Sequence, residues 1–208
     1  MQGKAIINAF DMGSAVGASR IAPGCLVARS ATGTILANTA TTDEQNMGMA
    51  GDLSIANDTT PGFWVQYDNV PVMLAGRGRL RLLGGGTDCT NGMWLQATRD
   101  GLVAIESGGN RAAESVAKCV SAADIEVSNY STVITTATAG SKTVTVTATT
   151  YFAAGDYVNL KDDSASENAL IKSVDSTTQV TLETAMAATY SVTPTMSKHV
   201  ECEAILAS

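Results

Sequence analysis

The chain has 208 residues, 45% hydrophobic, 16% charged and 5% aromatic, with a formal net charge of −7. That length suits one large β-domain or two small ones, and two are expected. The acidic balance argues against a general nucleic-acid partner, which needs a basic surface, and no run approaches the ~18 apolar residues of a membrane span.

Charged residues fall below the usual ~25%, and Thr, Ser, Ala and Gly take their place. A surface so weakly solvated fits a component buried in an assembly, and equally an ordinary Thr-rich β-protein. No signal-peptide core stands near Met1, so synthesis in a cytoplasm is the default expectation.

Residues 1–20 are rich in Gly, Ala and Ser, with Ile6, Ile7 and Phe10 as the sizeable anchors. They read as an extended arm ordered by a partner, with a first strand through Ala5 to Phe10 as the alternative. A phrase then appears three times: a turn ending in Gly followed by a short alternating apolar run. It occurs at Pro23-Gly24-Cys25-Leu26-Val27, at Asn91-Gly92-Met93-Trp94-Leu95 and at Ala154-Gly155-Asp156-Tyr157-Val158. Glycine accepts the positive φ of a tight turn, and a period of two sends alternate side chains to core and solvent.

In chain order, residues 25–30 and 34–37 form a hairpin about Thr32-Gly33. A loop follows at 39–44, a bend at 47–51, a surface excursion at 52–61 and a strand at 62–67. Residues 70–83 read as one long strand with Arg77, Arg79 and Arg81 on a single face. Three like charges so spaced repel unless acids lie opposite. The stripe docks on an acidic patch of another subunit, or it is an outer face paired to its own neighbouring strand. Gly84-Gly85-Gly86 is flexible and lacks the Gly-Lys-Ser/Thr of a phosphate loop. Residues 93–97 and 102–105 form a hairpin about Arg99-Asp100-Gly101, and 111–118 make a short helix or enter a strand.

At Tyr130 the composition shifts to Thr, Val and Ala. Strands at 143–147, 157–161, 169–174 and 179–182 make residues 131–197 a small β-module. The last strand, residues 199–206, alternates differently and returns to the first domain, which makes the module an insertion into a domain of residues 21–130 plus 198–208; a C-terminal strand belonging to the module is the competing arrangement. The fold class is all-β, built of small barrels or sandwiches.

Candidate chemistry is sparse. Cys25, Cys89, Cys119 and Cys202 are widely spaced without a Cys-x-x-Cys pair and read as buried thiols. His199, the one histidine, reads as an ordinary strand residue. Asp156, Asp162, Asp163 and Glu167 read as turn acids or a weak calcium site rather than a glycosidase pair. Trp64, Tyr151, Phe152 and Tyr190 are core residues or, if exposed, platforms for a sugar. No catalytic, metal or cofactor site is expected.

The arm, the run Ile21-Ala22-Pro23-Gly24-Cys25-Leu26-Val27, the phrase Asn69-Val70-Pro71-Val72 leading to Gly78-Arg79-Leu80, and Gly92-Met93-Trp94-Leu95 together resemble the capsid decoration, or cement, proteins of tailed bacteriophages and related archaeal viruses. The resemblance covers about the first 127 residues and the final strand. It implies a β-tulip-like domain and a homotrimer on the outer capsid surface of a virion, bridging neighbouring copies of the major capsid protein. It also makes Ile6, Ile7, Phe10, Arg77, Arg79 and Arg81 the capsid-binding candidates. The module departs from a minimal member and resembles small β-modules appended to phage structural proteins, with host-surface contact as a possible role. A head-fibre adhesin binding host glycan, or another virion β-protein such as a tail-tube component, are the alternatives.

Overall fold

The computed structural model describes residues 6–11, 20–29, 35–37, 46–50, 62–63, 69–106 and 115–206. Among them the fold is all-β, with a single 3-10 turn at Arg99–Gly101 as the only helical element. The first five strands are β1 (Ile6–Asp11), β2 (Leu26–Arg29), β3 (Ile35–Ala37), β4 (Asn46–Ala50) and β5 (Asn69–Ala75). They form one antiparallel sheet in the order β1-β5-β4-β2-β3.

The next four are β6 (Arg77–Leu83), β7 (Trp94–Ala97), β8 (Val103–Ile105) and β9 (Ser115–Cys119). The module supplies β10 (Ser131–Thr136), β11 (Thr143–Val146), β12 (Tyr157–Lys161), β13 (Ser166–Ser176) and β14 (Gln179–Leu182). Strand β15 (Thr195–Leu206) closes the chain's described part.

The pairings close two rings. In the module, β10-β11-β14-β13-β12-β15 returns from β15 to β10. In the body, β15-β6-β8-β7-β9 returns from β9 to β15. The molecule is thus two small barrels sharing one strand. Residues 195–198 of β15 serve the module and His199 onward serves the body. On β15, Met196 lies in the module core and Cys202, Ala204 and Leu206 in the body core, while Lys198 between them turns outward to Asp156. Odd-numbered residues are covered at Ser197 and His199, and the face then opens at Glu201.

Several local expectations change. The arm reading gives way at Ile6–Asp11 to its alternative, because this stretch pairs along β5 from Asn69 to Ala75. The long strand over 70–83 is two strands in different sheets: Gly76, at φ 111°, turns the corner between β5 and β6. The bend over 47–51 is strand β4 up to Ala50, and Gly48 is needed there because a Cβ would stand 2.3 Å from the Met73 carbonyl oxygen. Gly62 and Phe63 lie in a turn rather than a strand. Lys118 and its neighbours are strand β9. Gly84 and Gly85 are tied down, donating to the Lys198 and Val127 carbonyls at 2.8 and 2.6 Å. The loop at 39–44 and the excursion at 52–61 lie outside the described residues, as does Trp64. The three repeated glycines, Gly24, Gly92 and Gly155, take φ of 82°, 92° and 87°, as the turns require.

Candidate functional site

The region where the two barrels and the five-stranded sheet meet brings together Arg81 and His199, two of the side chains that sequence reasoning singled out. On β6, Arg77, Arg79 and Arg81 share the outer face with Glu201 and Glu203 of β15, because Arg81 is in register with Glu201 and Arg79 with Glu203. Arg79 and Arg81 each reach Glu201 at 3.6 Å, and Arg77 pairs with Glu203. The acids that relieve the repulsion therefore lie on the chain's own neighbouring strand. Arg77 and Arg79 remain exposed, and such pairs contribute only ~0–1 kcal/mol.

Arg81 differs. It is 7% exposed, donates through Nε to the Pro23 carbonyl, and lies 4.1 Å from the centroid of the Tyr157 ring. Its inclusion among capsid-binding residues is corrected by this burial, since the turn at Pro23 and Tyr157 of β12 cover that end of β6. Ile6, Ile7 and Phe10 lie on β1, where Ile6 pairs with Ala75 just before the corner that leads to Arg77. The structure thus places the start of β1 just before the corner that opens the arginine row.

Tyr157 organises the junction. Its hydroxyl donates to the Gly62 carbonyl at 2.6 Å, its ring meets Phe63 edge-on at 5.3 Å, and His199 stacks nearly parallel to it at 6.1 Å. Neither ring nitrogen of His199 has a hydrogen-bond partner among the described residues. Burial, reinforced by the Arg81 charge, holds its pKa well below 6.5, so the imidazole is neutral. The strand-residue reading of His199 stands, with the addition that it sits between two domains.

A second, polar contact lies alongside. The Asn159 amide donates to the Asp100 carboxylate at 2.8 Å and to Asn168 Oδ1 at 3.0 Å, while Asn168 donates to the Asp100 carbonyl at 3.0 Å. Asp100 adopts φ 59°, and its backbone carbonyl and one carboxylate oxygen both accept from the module. Arg20 donates to the Ala185 carbonyl at 3.3 Å on the same side. Asp100, Tyr157, Asn159 and Asn168 were missed by sequence reasoning. The available signal was an asparagine inside the apolar alternation Tyr157-Val158-Asn159-Leu160.

The acids named as candidates each have a partner within the module. Asp162 accepts from the Ser164, Ala165 and Ser191 N–H groups at 2.8 to 3.0 Å, which holds its carboxyl well below the usual range. Asp156 accepts from the Ala153 N–H at 2.7 Å and pairs with Lys198 at 2.8 Å, and Asp163 accepts from the Thr193 hydroxyl at 3.1 Å. Burial raises the pKa of Glu167 against the lowering effect of Tyr190, and its carboxylate accepts from the Ala187 N–H at 3.0 Å.

All four cysteines are free and buried. Cys89, Cys119 and Cys202 share the body core, and burial pushes the Cys202 thiol up to about 12 and the Cys25 thiol likewise to about 12. Among the described residues no three of His, Cys, Asp and Glu converge as a metal site. Of the aromatic candidates, Phe152 and Tyr190 are buried and Tyr151 is 47% exposed.

No protein-family model, curated protein or solved structure gives a significant match to this chain. The functional reading therefore rests on its own geometry and on the resemblance drawn from its residues.

Proposed function

We propose that this chain is a viral capsid decoration protein, which binds the outer shell, assembles as a trimer and bridges neighbouring major capsid proteins. The observation that carries this reading is where the open strand edges lie. Among the described strands both barrels are closed rings, and only β1 and β3 end a sheet. A strand edge with unpaired N–H and C=O groups accepts a strand from another chain, and closure removes that option elsewhere.

Edge strand β1 contains Ile6, Ile7 and Phe10, and its first paired residue sits opposite Ala75, just before the corner that leads to exposed Arg77 and on to exposed Arg79. Ile6, Ile7, Phe10, Arg77 and Arg79 form the proposed shell contact. The shared strand and the docked junction make the two barrels a stiff unit, which suits a part that transmits load between capsomers. Three copies in one trimer would hold the shell together because the second and third attachments are intramolecular once the first has formed.

The test is to mix the purified full chain with undecorated expanded shells and measure binding stoichiometry and shell disruption temperature. Saturable binding with a raised disruption temperature is expected, lost on removal of residues 1–11. Absence of binding, or binding and protection unaffected by that truncation, would overturn the reading.

A further inference from the structure

The outer surface of the module barrel carries a groove of about 380 Å³ that the capsid reading does not use. It lies where β10 changes partners. Residues 131–133 pair with β15, and from Ile134 the strand pairs with β11. Ser131, Val133 and Thr195 line one side, and Thr147, Thr150 and Tyr151 line the other. Its volume falls within the ~300–1,000 Å³ typical of small-ligand clefts.

Two half-exposed apolar groups face this groove, Val133 at 51% and Tyr151 at 47%. The Tyr151 ring is held rather than free. It meets Tyr130 edge-to-face at 5.8 Å, and Tyr130 is covered by the Lys198 ammonium at 5.3 Å. That ammonium also bonds the Tyr151 carbonyl at 3.5 Å and pairs with Asp156. Beneath the rim, buried Thr132 bonds the Thr147 hydroxyl at 3.0 Å and accepts from the Ala148 N–H at 3.2 Å, so the hydroxyl wall is also fixed in place.

The lining selects the ligand by exclusion. None of the described residues lining the groove is charged, although the chain carries −7 overall. A charged ligand would find no free counter-ion there, since the nearby Lys198 ammonium is already paired with Asp156. A wholly apolar ligand would cover the hydroxyls and leave them unpaired. A pyranose has an apolar C–H face and a perimeter of hydroxyls, and matches both features.

We infer that this groove binds a neutral saccharide of one or two rings, stacked on Tyr151 and hydrogen-bonded by Thr147 and Thr150. The site shares no residue with the shell contact proposed on β1 and the start of β6.

The test displays neutral, sialylated and sulfated glycans multivalently and probes them with the labelled full chain, followed by titration with the best neutral hexose or N-acetylhexosamine oligosaccharide. Binding confined to neutral glycans is expected. Tyr151→Ala should weaken it at least tenfold and Tyr151→Phe, which keeps the ring, less than threefold, with melting curves confirming that both variants remain folded. If Tyr151→Ala does not fold, Thr150→Val provides the second variant and should weaken binding threefold or more. A silent display, binding restricted to acidic glycans, or neutral binding that the Tyr151→Ala variant (or Thr150→Val in its place) leaves within twofold of the parent would overturn the inference.

Discussion

The module barrel is filled by Ile134, Val144, Val146, Val158, Leu160, Ile171, Val180 and Leu182, which recur at alternate positions along strands that follow one another closely in the chain. The body barrel is filled by Leu80, Leu82, Leu95, Val103 and three cysteines, with Leu26, Met49 and Met73 entering from the five-stranded sheet. One core is local and rich in β-branched residues. The other draws on residues from Leu26 to Leu206 and uses flexible methionines and small thiols to fill an irregular space. The contrast shows that the body cannot close until β15 arrives, and β15 is delivered by the module. Barrel closure in the body is therefore the long-range, slowly formed half of the fold.

The strongest way to break this dependence is to interrupt the shared strand. Lys198 donates its N–H to the Tyr130 carbonyl at 2.8 Å, at the point where β15 passes between barrels. Lys198→Pro removes that donor and should cost about 3 kcal/mol or more. Scanning calorimetry should then show two transitions, the module melting above the body. A single transition at the parental temperature would show that this point of β15 does not hold the two barrels together.

Next in size is a steric wedge at the same seam. A Cβ on Gly84 would stand 2.3 Å from the Tyr130 carbonyl oxygen and 2.7 Å from that of Lys198, both backbone atoms that cannot yield without parting the barrels. Gly84→Ala should cost about 2–3 kcal/mol, whereas Gly86→Ala, which meets nothing within 4 Å, should stay within about 0.5 kcal/mol. Denaturant midpoints of the pair measure the difference, and equal midpoints would remove the argument for a tight seam.

Acid should act on the junction before it acts on either core. The folded-state pKa of His199 lies below its unfolded value of 6.5, so the unfolded chain binds the extra proton. Stability is complete above about pH 7 and falls as pH drops through 6.5 toward the folded pKa, by at most ~1.4 kcal/mol per pH unit. The lowered carboxyls of Asp88, Asp162 and Asp175 also lose stability on acidification, but only as pH approaches their ordinary value of 3.8. Glu167, raised from 4.5, opposes them by taking up its proton first in the folded state. Melting temperatures of His199→Phe should therefore lose the decline that the parent shows between pH 6.5 and 5; parallel curves would exclude His199 as the source.

The smallest effect belongs to the exposed arginines. Arg79→Ala should change stability by no more than about 0.5 kcal/mol, and the change should vanish in high salt. In shell binding the same variant should weaken affinity severalfold if Arg79 contacts the capsid. Unchanged affinity would confine the contact to β1 and Arg77.

How much of this was legible varied with distance along the chain. The strand at Thr143–Val146 was readable because each of its residues reports its own face, and the glycines at 24, 92 and 155 were readable because a turn demands positive φ locally. The arginine row was readable as a row, and its own neighbouring strand was one of the two partners considered. The burial of Arg81, by contrast, depends on Pro23 and Tyr157, which lie far from it in sequence and alternate no differently from other strand residues. The junction residues Asp100, Asn159 and Asn168 were hidden for the same reason, since a buried polar contact leaves no periodic trace on either side.

The residues by themselves determined the all-β class, the shift at Tyr130 and most strand positions, because backbone preference and alternation act within a few residues. Only tertiary structure decided that the chain changes sheets at Gly76, that two rings close on one strand, and that a neutral imidazole and a buried guanidinium lie between them. Ring closure and burial depend on surface removed from water by partners tens of residues or more away, and no local pattern encodes which partner arrives.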